Sequence, residues 1–120
     1  MGSQKVLEET AIIHGPIKES TGMGWNTRYC MVWPAVRVPN IPPGDKFFFF
    51  YKQKGASKPE RVAYLQPGKF TCKKTKQKDM AALRFEAPLV MKGKKFGKEL
   101  KFMLGAEDQK QRDEWVKAFT

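Results

Sequence analysis

The chain has 120 residues, enough for one domain that buries its own core without disulfides. Its 23 Lys and Arg against 12 Asp and Glu leave a formal net charge of +11, which serves solubility on the plain reading and, on the functional one, points to an anionic partner: a membrane leaflet, a nucleic acid or an acidic protein. No apolar run approaches the roughly 20 residues of a membrane span, and no charged segment followed by an apolar one marks a secretory leader.

Residues 1–10 are polar and unpatterned and read as an N-terminal tail, leaving 11–120 as the domain. Gly2 is the residue that N-myristoylation needs, but Val6 stands where Ser or Thr is favoured. Ile12 to Lys18 reads as a first strand, and Glu19 to Gly24, with two glycines, as a turn. Trp25 to Trp33 is rich in strand formers and reads as the second strand. Pro34 to Asp45 holds four prolines, which excludes a central strand and predicts a long stiff loop. Lys46 to Gln53 contains the longest apolar run, Phe47 to Tyr51, and reads as the third strand; Lys54 to Glu60 is a polar turn.

Arg61 to Gln66 is the expected fourth strand, closed by Pro67-Gly68, and Phe70 to Lys74 the fifth. Ala82 to Ala87 alternates Leu83 and Phe85 with Arg84 and Glu86, as a sixth strand should. Met91 to Lys98 is a basic loop, and Glu99 to Leu104 a seventh strand with Leu100, Phe102 and Leu104 on one face. The chain closes on a helix. Asp108 is its expected N-cap, with Gln111 as reciprocal partner, and Trp115, Val116 and Phe119 form an apolar plug. The fold class is therefore mostly β: a seven-stranded antiparallel barrel or sandwich capped by one C-terminal α-helix. Cys30 and Cys72 lie in strand-like runs and read as small core residues in a reducing compartment.

Several stretches, in order, resemble the pleckstrin-homology (PH) family. Gly15-Pro16-Ile17 is similar to the Gly-x-Leu of the family's first strand. Trp25-Asn26-Thr27-Arg28-Tyr29-Cys30-Met31-Val32 is similar to its Trp-Lys-x-Arg-x-Phe-x-Leu second strand. Phe50-Tyr51-Lys52 looks like the end of its third strand, and the helix carrying Trp115 is the most diagnostic feature. The resemblance spans Ile12 to Phe119 and implies a non-enzymatic binding module. It is an atypical match. The family's phosphoinositide motif sets a Lys at the end of the first strand and Lys/Arg-x-Arg on the second; here those positions hold Glu19, Asn26 and Arg28, so only Arg28 survives. Glu19 and Arg28 should sit together at the open rim, where the carboxylate repels phosphate or pairs with Arg28.

Positive charge is plentiful elsewhere. In the family the loop between the sixth and seventh strands sits at the open end. Here it carries Lys92, Lys94, Lys95 and Lys98 around Phe96. That pattern suits a membrane-contact loop, with lysines at anionic headgroups and Phe96 between lipids; a solvated loop with Phe96 folded onto the barrel is the plainer reading. Met23 and Trp25 in the first turn repeat the pattern, against the plainer reading that Trp25 packs on the barrel edge. Lys18, Lys52 and Arg61 flank the same rim by analogy. A second cluster, Lys69, Lys73, Lys74, Lys76 and Lys78, surrounds the fifth strand and reads chiefly as solvated face.

The expected headgroup-binding set is thus Lys18, Arg28, Lys52, Arg61, Lys92, Lys94, Lys95 and Lys98, with Met23, Trp25 and Phe96 for insertion. The expected partners are anionic lipids: phosphatidic acid, phosphatidylserine or phosphoinositides. The expected location is cytoplasmic and peripheral on membranes. The alternative is a protein-interaction module using the Pro-rich loop 34–45 or the helix flank; nucleic-acid binding is disfavoured because no aromatic stacking platform is visible. His14 is the sole histidine, and no Cys-His spacing, nucleotide fingerprint or nucleophile–base motif appears, so neither cofactor nor metal is expected.

Overall fold

The computed structural model describes residues 4–20, 24–34, 45–66, 68, 70–77, 80–88 and 99–119. A short helix, α1 (Gln4–Glu8), precedes strands β1 (Ile13–Ser20), β2 (Trp25–Pro34), β3 (Lys46–Tyr51) and β4 (Arg61–Leu65). Strands β5 (Thr71–Gln77), β6 (Met80–Pro88) and β7 (Glu99–Ala106) follow, then helix α2 (Gln109–Phe119). One antiparallel sheet runs β4-β3-β2-β1-β7-β6-β5. The seven expected strands and the closing helix are all present, with several strand ends shifted by one to three residues. Pro16 fits inside a central strand because β1 pairs with β7 only from Lys18 onward, so its missing N–H falls where no partner waits.

The antiparallel order places the ends of β1, β3 and β6 and the starts of β2, β4 and β7 at one end of the curled sheet. Helix α2 closes the other. Asp108 Oδ1 accepts the Gln111 N–H at 2.8 Å, and Gln111 Oε1 in turn accepts the Glu107 N–H at 2.7 Å. At the far end of α2, Lys46 Nζ donates to the Ala118 carbonyl at 3.1 Å, a cation set against the negative end of the helix dipole. Trp115, Ala118 and Phe119 enter the core formed by Ile17, Cys30, Val32, Phe48, Phe50, Ala63, Leu65, Leu83 and Leu104. Phe119 packs on Phe48 with ring centroids 5.3 Å apart.

Strands β2 and β3 do not alternate between core and solvent. Their outer-facing residues Tyr29, Met31, Phe49 and Tyr51 form a second buried cluster with Val62 and Leu7. Leu7 belongs to α1, so the expected N-terminal tail needs correction. Residues 4–8 form a helix that covers the outer face of β2–β4, with Leu7 only 6% exposed. Gln4 fixes it at the β3–β4 turn: its Oε1 accepts the Gly55 N–H at 2.8 Å and its Nε2 donates to the Gln53 carbonyl at 3.4 Å. The Tyr29 hydroxyl donates to Glu8 Oε1 at 2.8 Å, and with its single proton used there, it accepts from His14 Nδ1, also at 2.8 Å. Burial, aided by the hydrogen bond and charge of Glu8, pushes the Tyr29 phenol well above its ordinary pKa.

Gly105 on β7 marks a close approach. A Cβ there would stand 2.7 Å from Trp25 Cζ3, 2.9 Å from Trp25 Cε3 and 2.9 Å from Met80 Cγ. The indole of Trp25 therefore lies over the β7 backbone on the outer wall, a position only glycine leaves open.

Two stability predictions follow from these contacts. Leu7→Ala should cost about 2–5 kcal/mol in urea unfolding, the range for an emptied core leucine; a loss under about 0.5 kcal/mol would return residues 4–8 to the status of a tail. Gly105→Ala should cost about 1–3 kcal/mol by overpacking. Combining it with Trp25→Leu should give less than the sum of the two single losses, because the clash is shared.

Candidate anion-binding site

Glu19 is the last but one residue of β1, and alternation turns it, like Ile17, toward the inside of the sheet. Arg28 on β2 turns the same way as Cys30. Arg61, the first residue of β4, pairs with Phe50 across the ladder, and its guanidinium carbon lies 4.3 Å from the centre of the Phe50 ring. The three side chains meet at the open end. Glu19 Oε1 accepts from Arg28 Nε at 3.3 Å, and Glu19 Oε2 from Arg61 Nη2 at 3.0 Å. Glu60 Oε1 stands 3.5 Å from the same Arg61 nitrogen. Two guanidinium groups thus face two carboxylates, and the group carries no net charge. The side chains of Glu19, Arg28 and Arg61 are 15, 20 and 29% exposed, shielded enough for these pairs to be stronger than bridges in open solvent.

Of the other expected binding residues, those that are described lie apart from this group. Lys18 neighbours Glu19 and so points to the outer face, where it lines a recess with Pro16, Thr27, Gly105, Glu107 and Gln111. Lys52 is exposed in the β3–β4 turn, which also presents exposed Lys54 and Lys58 at the open end. Trp25 is half-buried against Gly105. Met23, Lys92, Lys94, Lys95, Phe96 and Lys98 lie outside the described residues, as do residues 35–44 of the Pro-rich loop. The strands flanking residues 89–98 are described, however. The β6–β7 ladder continues for five pairs beyond Leu83↔Leu104, ending at Pro88↔Glu99. The β1–β7 pairing ends level with Leu104, at Glu19. Five pairs at about 3.4 Å each carry this hairpin roughly 17 Å past that level.

Of the second basic cluster, Lys73 and Lys74 are exposed on β5, and Lys74 Nζ is 3.1 Å from Asp113 Oδ1 on α2. The hydrogen bonds from Lys74 and Arg112 hold the Asp113 carboxyl below its ordinary pKa. That lysine braces the helix. Lys73 instead faces Arg84 directly across the β5–β6 ladder, a like-charged pair on the outer face.

Among the described residues no group of three or more His, Cys, Asp or Glu could hold a metal ion. Cys30 and Cys72 are free thiols, and burial pushes Cys72 up to about 11 and Cys30 well above its ordinary value, so neither is a ready thiolate at neutral pH.

Sequence reasoning reached Arg28 and its pairing with Glu19. It missed that Arg61 closes on the same carboxylate from β4. The Glu60-Arg61 pair was visible, but the sheet curl that brings β4 over β3 toward β1 has no local signature. It also missed the Gln4 brace under the β3–β4 turn, because one glutamine in a polar segment carries no pattern.

A scan against protein-family models finds none that matches, and a search of curated proteins finds no match. Among solved structures, the C-terminal PH domain of pleckstrin in complex with D-myo-Ins(1,2,3,5,6)P5 superposes with a TM-score of 0.63 at 17% identity, covering 91% of each chain. With seven antiparallel strands in one curled sheet and a C-terminal helix plugging one end, this chain has the pleckstrin-homology fold.

Proposed function

We propose that this domain is a non-enzymatic module that recruits its protein to anionic membranes through basic loops at the open end of the sheet. The observation that carries the reading is the neutralised Arg28–Glu19–Arg61–Glu60 group. The inward-facing arginines are spoken for, while the net charge of +11 remains and lysines crowd the segments at that end. Lys52, Lys54 and Lys58 are exposed there, and Lys92, Lys94, Lys95 and Lys98 lie in the segment that joins the protruding ends of β6 and β7.

The energetics suit a surface rather than a deep pocket. Each lysine near an anionic leaflet contributes about 1 kcal/mol, and burying Phe96 among lipids would add roughly 1.5–3 kcal/mol. Phosphatidic acid, with its small exposed phosphate, and phosphatidylserine fit such a site better than a large inositol ring. The inositol phosphate held by the pleckstrin domain shows that this fold can host phosphate esters, and it supports anion binding here without fixing the headgroup. On this reading the protein is peripheral on membranes facing the cytoplasm.

Sedimentation with phosphatidylcholine vesicles, with and without phosphatidic acid or phosphatidylserine, tests the proposal. Binding should require the anionic lipid and should weaken as salt rises, since exposed charges are screened beyond about 8 Å at physiological ionic strength. Neutralising Lys92, Lys94, Lys95 and Lys98 together should weaken binding more than Arg28→Ala. Equal binding to neutral and anionic vesicles would remove the electrostatic premise, and complete loss with a folded Arg28→Ala variant would restore a conventional pocket. Binding to no vesicle at all would favour a protein-interaction module of the same fold.

A further inference from the structure

Two arginines from separate strands, β2 and β4, converge on the carboxylate of a third, β1, and each takes a different oxygen of it. Phe50, fully buried, forms the floor under Arg61. This is how a site for a small oxyanion is built: two guanidinium groups splayed around one acceptor, on an apolar base, partly shielded from water. The unusual feature is that the acceptor belongs to the protein. We propose that Glu19 is an internal occupant of an anion site formed by Arg28 and Arg61, and that it is the residue that excludes phosphate monoesters from that site.

The argument is electrostatic and geometric. A phosphate monoester dianion offers three oxygens to the same two guanidinium groups, and without the Glu19 carboxylate the group, with Glu60 still beside Arg61, would face it with a net positive charge. With Glu19 in place, an arriving phosphate must displace the carboxylate and remain beside it. Like charges a few ångströms apart at this shielding repel strongly. Glu60 reaches the same Arg61 nitrogen at 3.5 Å, and its side chain is 47% exposed, so it can swing to solvent. Glu19 is held more firmly: its side chain is 15% exposed and bonds two guanidinium groups at once, from a backbone paired with both β2 and β7. Glu19 is thus a specificity determinant. It rejects compact phosphate clusters that demand an inward pocket and leaves the outer lysines to bind diffuse anionic surfaces.

The shared ligand chemistry, a phosphate monoester, can come from a soluble inositol phosphate or a lipid headgroup, and the two arms of the test separate them. In the soluble arm, calorimetric titration with inositol 1,4,5-trisphosphate contains no membrane, so its result stands whatever becomes of the vesicle reading. Glu19→Gln should bind at least about tenfold more tightly than wild type, the scale of one restored charge-assisted hydrogen bond. Adding Arg28→Ala to Glu19→Gln should cancel the gain. In the lipid arm, the same variant should gain affinity for vesicles carrying phosphatidylinositol 4,5-bisphosphate more than for those carrying phosphatidylserine. Glu19→Asp keeps the net charge but is too short to span both arginines, and should gain by a smaller factor; it carries the test should Glu19→Gln fail to fold. A folded Glu19→Gln or Glu19→Asp variant no tighter than wild type in the soluble arm would overturn the proposal. So would a gain that survives Arg28→Ala, since it would then reflect net charge rather than this site.

Discussion

Strands β2 and β3 of this sheet are apolar on both faces, and most of the architecture answers that constraint. Phe48 and Phe50 point one way from β3, Phe49 and Tyr51 the other, and all four are buried. Cys30 and Val32 against Tyr29 and Met31 repeat the division on β2. A sheet so built must be covered twice. Helix α2 covers the inner face through Trp115 and Phe119, and α1 covers the outer face through Leu7. The inner cover leaves one end of the curled sheet open. The outer cover braces the turn at that same end, since Gln4 bonds the backbone of Gln53 and Gly55 beside Lys52, Lys54 and Lys58. The covering of the sheet and the presentation of its charge are therefore linked.

Charge is sorted by depth. Carboxylates sit where arginines or lysines enter the structure: Glu19 and Glu60 at the open end, Asp113 against Lys74 and Arg112 on the helix side. The buried Asp45 accepts a hydrogen bond from the Tyr64 hydroxyl, whose ring stacks on Phe47. Among the described residues, Lys52, Lys54 and Lys58 stay exposed at the open end. An exposed lysine contributes little to folding, and its long stem keeps it adaptable.

Much of the fold is legible in the sequence because the strands are short, alternating and separated by turn residues, and because Trp115 and Phe119 stand four residues apart after a capping Asp108. The outer cover is not, because Leu7 is a lone apolar residue in a polar stretch and a five-residue helix has no period to read. A signal did exist. Phe47 to Tyr51 runs apolar without alternation, and so does Tyr29 to Val32, which already means that both faces of those strands are covered. The candidate site was half legible. Glu19 and Arg28 fall together by counting alternation from Ile17 and Cys30, but Arg61 arrives through curvature, a property of the whole sheet.

The central claim is that the open end, with the protruding β6–β7 ladder, meets the membrane. Amide relaxation on nanodiscs containing phosphatidic acid and a spin-labelled lipid tests this most directly. The account predicts strong broadening at residues 86–101 and in the β3–β4 turn, with α2 unaffected. Broadening concentrated on α2 or at the start of β3, the opposite end of the sheet, would contradict it.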